Sequence, residues 1–183
     1  MNEKEAFEIV KKRIIEIQSE KGKPTRIAIN GIEGTGKTVF AEKLTKYLNS
    51  NEMKAIQISI DGFHFNKEVR YKQGRNSAKG YYENSYDEMT FVNKVLKSTQ
   101  TEKPNYISAT HDLDTDEYLN LKPIEISNET ITITDGAYLF KPNYIHHWDL
   151  KIYLKTDFES AMKRGIERDK ENLGGFEATK EKF

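Results

Sequence analysis

The sequence has 183 residues, 36% hydrophobic and 32% charged, which suits one domain able to bury a real core. Its 29 Lys plus Arg balance 29 Asp plus Glu, so bulk charge gives no reason to expect nucleic acid or an anionic membrane as partner. The absence of cysteine excludes disulfides and thiolate metal sites and fits a reducing cytosol.

Phe7, Val10, Ile14 and Ile17 recur at helical spacing among charges, so residues 3–20 predict an amphipathic helix, ended by Gly22 and Pro24. This start lacks the apolar centre of a signal peptide, and no apolar run approaches the ~20 residues that span a bilayer. The chain therefore reads as soluble and cytoplasmic. Residues 26–30 form a short apolar run of the buried-strand kind, followed by a Gly-rich turn and a helix marked by Phe40, Leu44, Tyr47 and Leu48. Residues 53–60 predict a strand. Residues 61–85 form a long polar and aromatic loop without clear period, and loops of this length inside a domain are usually functional. Tyr86, Met89, Val92, Val95 and Leu96 restore helical spacing, and 104–128 hold short pieces with hairpin character. Ile131–Thr134 is a β-branched strand closed by Asp135-Gly136. Leu150, Ile152 and Leu154 alternate in another strand, and Phe158, Met162 and Ile166 mark a last helix. Strands separated by helices predict an α/β fold, a three-layer sandwich with a mostly parallel sheet flanked by helices.

Gly31-Ile32-Glu33-Gly34-Thr35-Gly36-Lys37-Thr38 fits the phosphate-loop pattern G-x-x-x-x-G-K-[ST] in full, between a predicted strand and a predicted helix. Glycines let backbone N–H groups turn inward around phosphate oxygens, and the following helix adds its positive end. Lys37 supplies a point charge to the β- and γ-phosphates, and the Thr38 hydroxyl suits Mg²⁺. The expected ligands are ATP and Mg²⁺.

Two carboxylates, Asp61 and Asp135, follow predicted strands, and in a parallel sheet the carboxyl ends of strands line the ligand crevice. One can serve Mg²⁺ while the other takes or orients the proton of an attacking hydroxyl. The plain alternative is that each is a turn-forming Asp before Gly.

Asp61-Gly62-Phe63-His64, Arg70-Tyr71, Gly74-Arg75, Tyr81-Tyr82 and Ser85-Tyr86-Asp87 resemble the acceptor-binding region of uridine kinase-like P-loop kinases, a group related to pantothenate kinase and phosphoribulokinase. Asp135-Gly136, Leu139, Pro142, His147-Trp148-Asp149, Asp157-Phe158, Arg164 and Arg168-Asp169 continue the resemblance, which covers about residues 24–175. It implies an ATP-dependent kinase that phosphorylates a hydroxyl of a nucleoside-like or other small acceptor. By resemblance Asp61 is the base, Asp135 stands near Mg²⁺ where uridine kinases usually carry Glu, and Arg164 and Arg168 are lid arginines. The acceptor wall falls on Phe63, His64, Arg70, Tyr71, Tyr82, Glu83 and His111, with His111 resembling a nucleobase contact. The residues also admit plainer readings: a solvated helix face for Arg164 and Arg168, surface charge for Arg70 and Arg75, an ordinary loop histidine for His111, and a structural role for His146-His147. Glu83-Asn84-Ser85 stands where uridine kinases are more acidic and carry histidine.

Members of the group continue for some tens of residues beyond the lid and add a further strand. The expectation is a single P-loop kinase domain over 1–183, short at its C-terminus, with 149–155 at the sheet edge. That edge would lower thermal stability or pair with a second copy of the chain as a homo-oligomer. The competing expectation is a truncated or degenerate nucleotide-binding protein without kinase turnover.

Overall fold

The computed structural model describes residues 2–169, with side chains through Glu167. Asn2 opens α1 (Glu3–Lys21) with a capping box: its side chain accepts from Glu5 N while the Glu5 carboxylate accepts from Asn2 N. β1 (Thr25–Asn30) leads through the Gly-rich loop into α2 (Lys37–Ser50) and then β2 (Ala55–Gln57). A 3-10 turn over Ile60–Phe63 precedes two short helices, α3 (Lys67–Arg70) and α4 (Ala78–Asn84). α5 (Glu88–Phe91) continues as a π-helical segment over Val92–Lys97. Four two-residue strands follow: β3 (Asn105–Tyr106), β4 (His111–Asp112), β5 (Glu117–Tyr118) and β6 (Ile124–Glu125). β7 (Ile131–Asp135), α6 (Pro142–Ile145), β8 (Leu150–Tyr153) and α7 (Phe158–Asp169) come last.

The central sheet has the order β2-β7-β1-β8, with every pairing parallel. Alternation along β1 builds the three layers. Ile27 and Ile29 face α1 and α2, packing with Phe7, Ile14, Leu44 and Leu48. Ala28 faces the opposite layer of Phe63, Phe91, Val95, Leu96, Tyr144 and Trp148. Asp149, just before β8, accepts from Arg26 N at 2.8 Å and from the side chains of Arg26 and Lys21, which ties the sheet edge to α1 and β1. Among the described residues β8 pairs only with β1. No helix among the described residues is long and apolar enough to cross a membrane.

The predicted strand 53–60 is shorter than its apolar alternation. Ile58 N still bonds to Ile133 O, but the Ser59 hydroxyl then caps the turn that buries both Ile60 and Phe63. Residues 61–85 are not one open loop. Asn66 and Ser77 cap α3 and α4, which are too short to show an apolar period. Tyr86 lies outside the helix predicted from it, because Asp87 is the N-cap, accepting from Thr90 N at 3.0 Å. Among the described side chains of α7, Ala161 and Ile166 are buried, whereas Phe158 is 62% exposed and takes no part in the predicted apolar stripe.

Candidate active site

β1 ends at Asn30 and α2 starts at Lys37, so the loop between them turns over the sheet's carboxyl end. The Ile32 carbonyl gathers it, accepting from Thr35 Oγ1 at 2.8 Å and from Lys37 Nζ at 2.9 Å. Gly34 sits at φ +74°, and a Cβ there would lie 1.9 Å from the Ala161 carbonyl oxygen. The loop therefore packs backbone to backbone against α7, whose next turn brings Arg164 to the same cleft.

The cleft measures about 750 Å³. On its sheet side, Thr38 Oγ1 donates to Asp135 Oδ2 at 2.7 Å, and Gln57 Nε2 donates to Asp135 Oδ1 at 2.8 Å. Asp135 is 1% exposed, so Gln57 on the neighbouring strand both satisfies and aims it. Two hard oxygens this close approximate the ~3 Å edge of an octahedron with ~2.1 Å bonds, so the pair fits Mg²⁺. Groups of three or more His, Cys, Asp or Glu able to hold a metal are absent among the described residues.

Asp61 lies on the 3-10 turn, exposed to the cleft, and its Oδ1 accepts from the Tyr86 hydroxyl at 3.0 Å. Burial and then the Asp61 carboxylate push the Tyr86 phenol well above its ordinary range, so it remains a donor. His64 Nδ1 is 2.7 Å from the Asp61 carbonyl. A carbonyl only accepts, so Nδ1 carries the proton and neutral His64 offers Nε2 as an acceptor. Burial lowers the His64 pKa against the opposing pull of Asp61, which favours the neutral ring.

The wall opposite the phosphate loop comes from α3, α4 and the hairpin of β4 and β5. Arg70 Nη2 lies 3.3 Å from Asp116 Oδ1, and both Asp116 oxygens accept from Lys67 N. The guanidiniums of Arg70 and Arg75 lie over the Tyr71 ring at 5.5 and 5.7 Å. The Tyr81 hydroxyl donates to Glu33 Oε1, joining α4 to the phosphate loop, and burial and then Glu33 push that phenol upward.

Glu33, Gly34, Gly36, Lys37, Thr38, Asp61, His64, Arg70, Tyr71, Asp135 and Arg164 of the predicted set line one cleft. Gly31, Ile32 and Thr35 shape the loop without lining that cleft. Four predicted acceptor contacts do not reach it. Phe63 is fully buried against Phe91, ring centroids 5.0 Å apart, because the 3-10 turn points it into the core. The His111 side chain is fully buried behind the hairpin, with Nε2 3.3 Å from Asp116 Oδ1. Tyr82 packs on Tyr138 and faces the Lys141 ammonium at 4.0 Å, while Glu83 accepts from Gln73. The Arg168 side chain lies outside the described residues. His146 and His147 stand ring to ring at 4.1 Å, away from the cleft. Sequence reasoning missed Gln57, Asn76, Leu113 and Asp116. Only the turn-rich run from Asp112 to Asp116 carried a signal.

A parallel sheet flanked by helices, a phosphate loop and a carboxylate at the carboxyl end of β7 define the P-loop NTPase architecture. A Silicibacter sp. TM1040 structure described as a candidate fructose transport system kinase shares this fold with TM-score 0.76 at 18% identity, covering 96% of this chain and 87% of that one. The chain belongs to the phosphoribulokinase / uridine kinase family, whose model matches residues 26–177. It is 26% identical over 177 residues to uridine kinase of Saccharomyces cerevisiae, spanning 85% of this chain and 33% of that protein. It is 24% identical over 161 residues to uridine kinase of Brevibacillus brevis, spanning 84% of this chain and 70% of that protein.

Proposed function

We propose that the chain transfers the γ-phosphoryl group of ATP to a hydroxyl of a small acceptor. The observation that carries this reading is the single cleft shared by Lys37, the Thr38–Asp135 pair and Asp61. Lys37, the loop amides and the start of α2 bind the triphosphate. Thr38 and Asp135 would hold Mg²⁺, which when bound neutralises charge between the β- and γ-phosphates. Tyr86 holds one Asp61 oxygen and leaves the other for the acceptor hydroxyl. Asp61 takes the hydroxyl proton as the acceptor oxygen bonds to the γ-phosphorus, and the bond from that phosphorus to the bridging oxygen breaks to release ADP. Arg164, with Arg168 one turn on, would cover the charge on the transferring group. Catalysis on this reading is positioning plus electrostatics.

The test is coupled ADP release across nucleosides, sugars, sugar phosphates and hydroxy acids. Asp61→Asn keeps the shape but cannot accept a proton, so transfer should fall roughly 10²–10⁴-fold with near-normal Mg·ATP binding. Mg·ATP binding without acceptor-dependent ADP release would make the chain a nucleotide-binding protein instead.

A further inference from the structure

Among the described residues, most aromatic side chains near the acceptor wall are already engaged or lie away from the cleft, and Tyr71 and Tyr81 are the exposed rings that line it. Tyr71 carries two guanidiniums over its ring. Tyr86 is 5% exposed, bonded to Asp61 and packed on His64 with centroids 4.4 Å apart. The Tyr81 hydroxyl is committed to Glu33, Tyr82 lines no part of the cleft, and Phe63 and His111 are buried. The charged side chains that this wall presents to the cleft are cationic, Arg70 and Arg75.

The charges are distributed by task. Lys37 and Arg164 stand by the phosphate loop and α7. Glu33 is capped by Tyr81, and Asp135 is taken by Thr38 and Gln57, so Asp61 is the carboxylate left open to a ligand. Arg70 and Arg75 then remain on the acceptor wall. Asp116 pins Arg70 through one nitrogen, which holds its guanidinium before any ligand arrives. Arg75 packs on Tyr71 and has no carboxylate partner among the described residues, while Asn76 beside it adds an uncharged polar side chain. With a neutral acceptor Arg70 would keep Asp116, but Arg75 would have only the Tyr71 ring and solvent. A carboxylate or phosphate matches the guanidinium fork and receives charge-assisted hydrogen bonds from it.

We infer that the acceptor is an anionic alcohol, bearing a carboxylate or phosphate held by Arg70 and Arg75 while its hydroxyl faces Asp61. This rests on the kinase reading above and narrows its substrate class. It runs against a free nucleoside as the preferred acceptor.

The experiment measures ADP release with matched pairs. Gluconate against glucose and glycerate against glycerol test the carboxylate, and ribose 5-phosphate against ribose tests the phosphate. Uridine is the neutral nucleoside control. The expected result is at least tenfold higher kcat/KM for the anionic member of one pair than for its neutral partner and for uridine. Arg75→Gln should raise KM for that anionic acceptor about 10- to 100-fold and shrink the preference, and Arg75→Glu should do so further. Arg75 is exposed, so both variants should fold, which thermal melts would confirm. Preference for uridine or a neutral pair member, or an anionic preference unchanged in Arg75→Glu, overturns the inference while leaving the kinase reading intact. No turnover with any acceptor, despite Mg·ATP binding by calorimetry, overturns both.

Discussion

Replacing Gly34 with alanine tests whether α7 rests on the phosphate loop in the working protein. The new Cβ would lie 1.9 Å from the Ala161 carbonyl oxygen, against an ordinary carbon–oxygen separation of about 3.3 Å. A gap of roughly 1.4 Å must open between loop and helix, the difference between those two distances. The backbone at φ +74° adds about 1–2 kcal/mol of strain for a residue with a Cβ. Overpacking adds about 1–3 kcal/mol more. The total of about 2–5 kcal/mol corresponds to a melting temperature lowered by about 4–20 °C in a chain of this size. Arg164 rides on α7, and a displacement of about 1 Å at a reacting centre can cost 10²-fold in rate. The comparator is Gly22→Ala, at φ +60° with nothing within 4 Å of the new Cβ, which isolates the strain. It should melt about 2–8 °C lower and keep full activity. Thermal melts paired with ADP-release kinetics read both effects. If Gly34→Ala keeps its kcat and melts no lower than Gly22→Ala, the contact between loop and α7 is not part of the active arrangement.

Tyr86→Phe removes only the hydroxyl that holds Asp61, so kcat should fall about tenfold with Mg·ATP affinity unchanged, the low end for a charged hydrogen bond because Asp61 is exposed. A kcat equal to wild type would remove Tyr86 from the positioning of the base. Acid should destabilise the fold through Asp149. Burial alone would raise this carboxyl, but hydrogen bonds from Arg26 and Lys21 outweigh burial and hold it below the usual range. Its contribution is therefore present above the unfolded value of about 3.9 and is lost as pH falls through the lower folded value. Melting temperatures between pH 7 and pH 2 should show that loss, and Asp149→Asn should melt lower at pH 7 with a flatter acid slope; an unaltered slope would assign the acid sensitivity to other carboxylates.

Local chemistry made much of this protein legible before any coordinates. The phosphate loop is a contiguous pattern whose glycines, lysine and threonine act where they stand in the chain, so Lys37 and Thr38 could be read directly. The β-branched run of β7 and the amphipathic period of α1 reflect burial on one or two faces, and both elements lie where that periodicity puts them. Their places after predicted strands extended this to Asp61 and Asp135, the resemblance adding only their roles, and both line the cleft. Short helices escaped because α3 spans four residues, and nothing periodic can show in one turn. The acceptor wall escaped for a different reason. Phe63, Tyr82 and His111 are polar-tipped or aromatic residues in a long connection, and sequence cannot say which way each side chain turns. Burial of Phe63 on Phe91, the Lys141 ammonium under Tyr82 and Asp116 beside His111 decide that, and they join residues 28, 59 and 5 positions apart. The same long-range packing sets Gln57 on Asp135, 78 residues away, and Tyr86 on Asp61, 25 residues away. The sequence by itself determined the phosphate loop and its place between a strand and a helix, because that pattern is contiguous in the chain. Only the tertiary structure decided which side chains face the cleft, because that depends on which ones the core takes for itself.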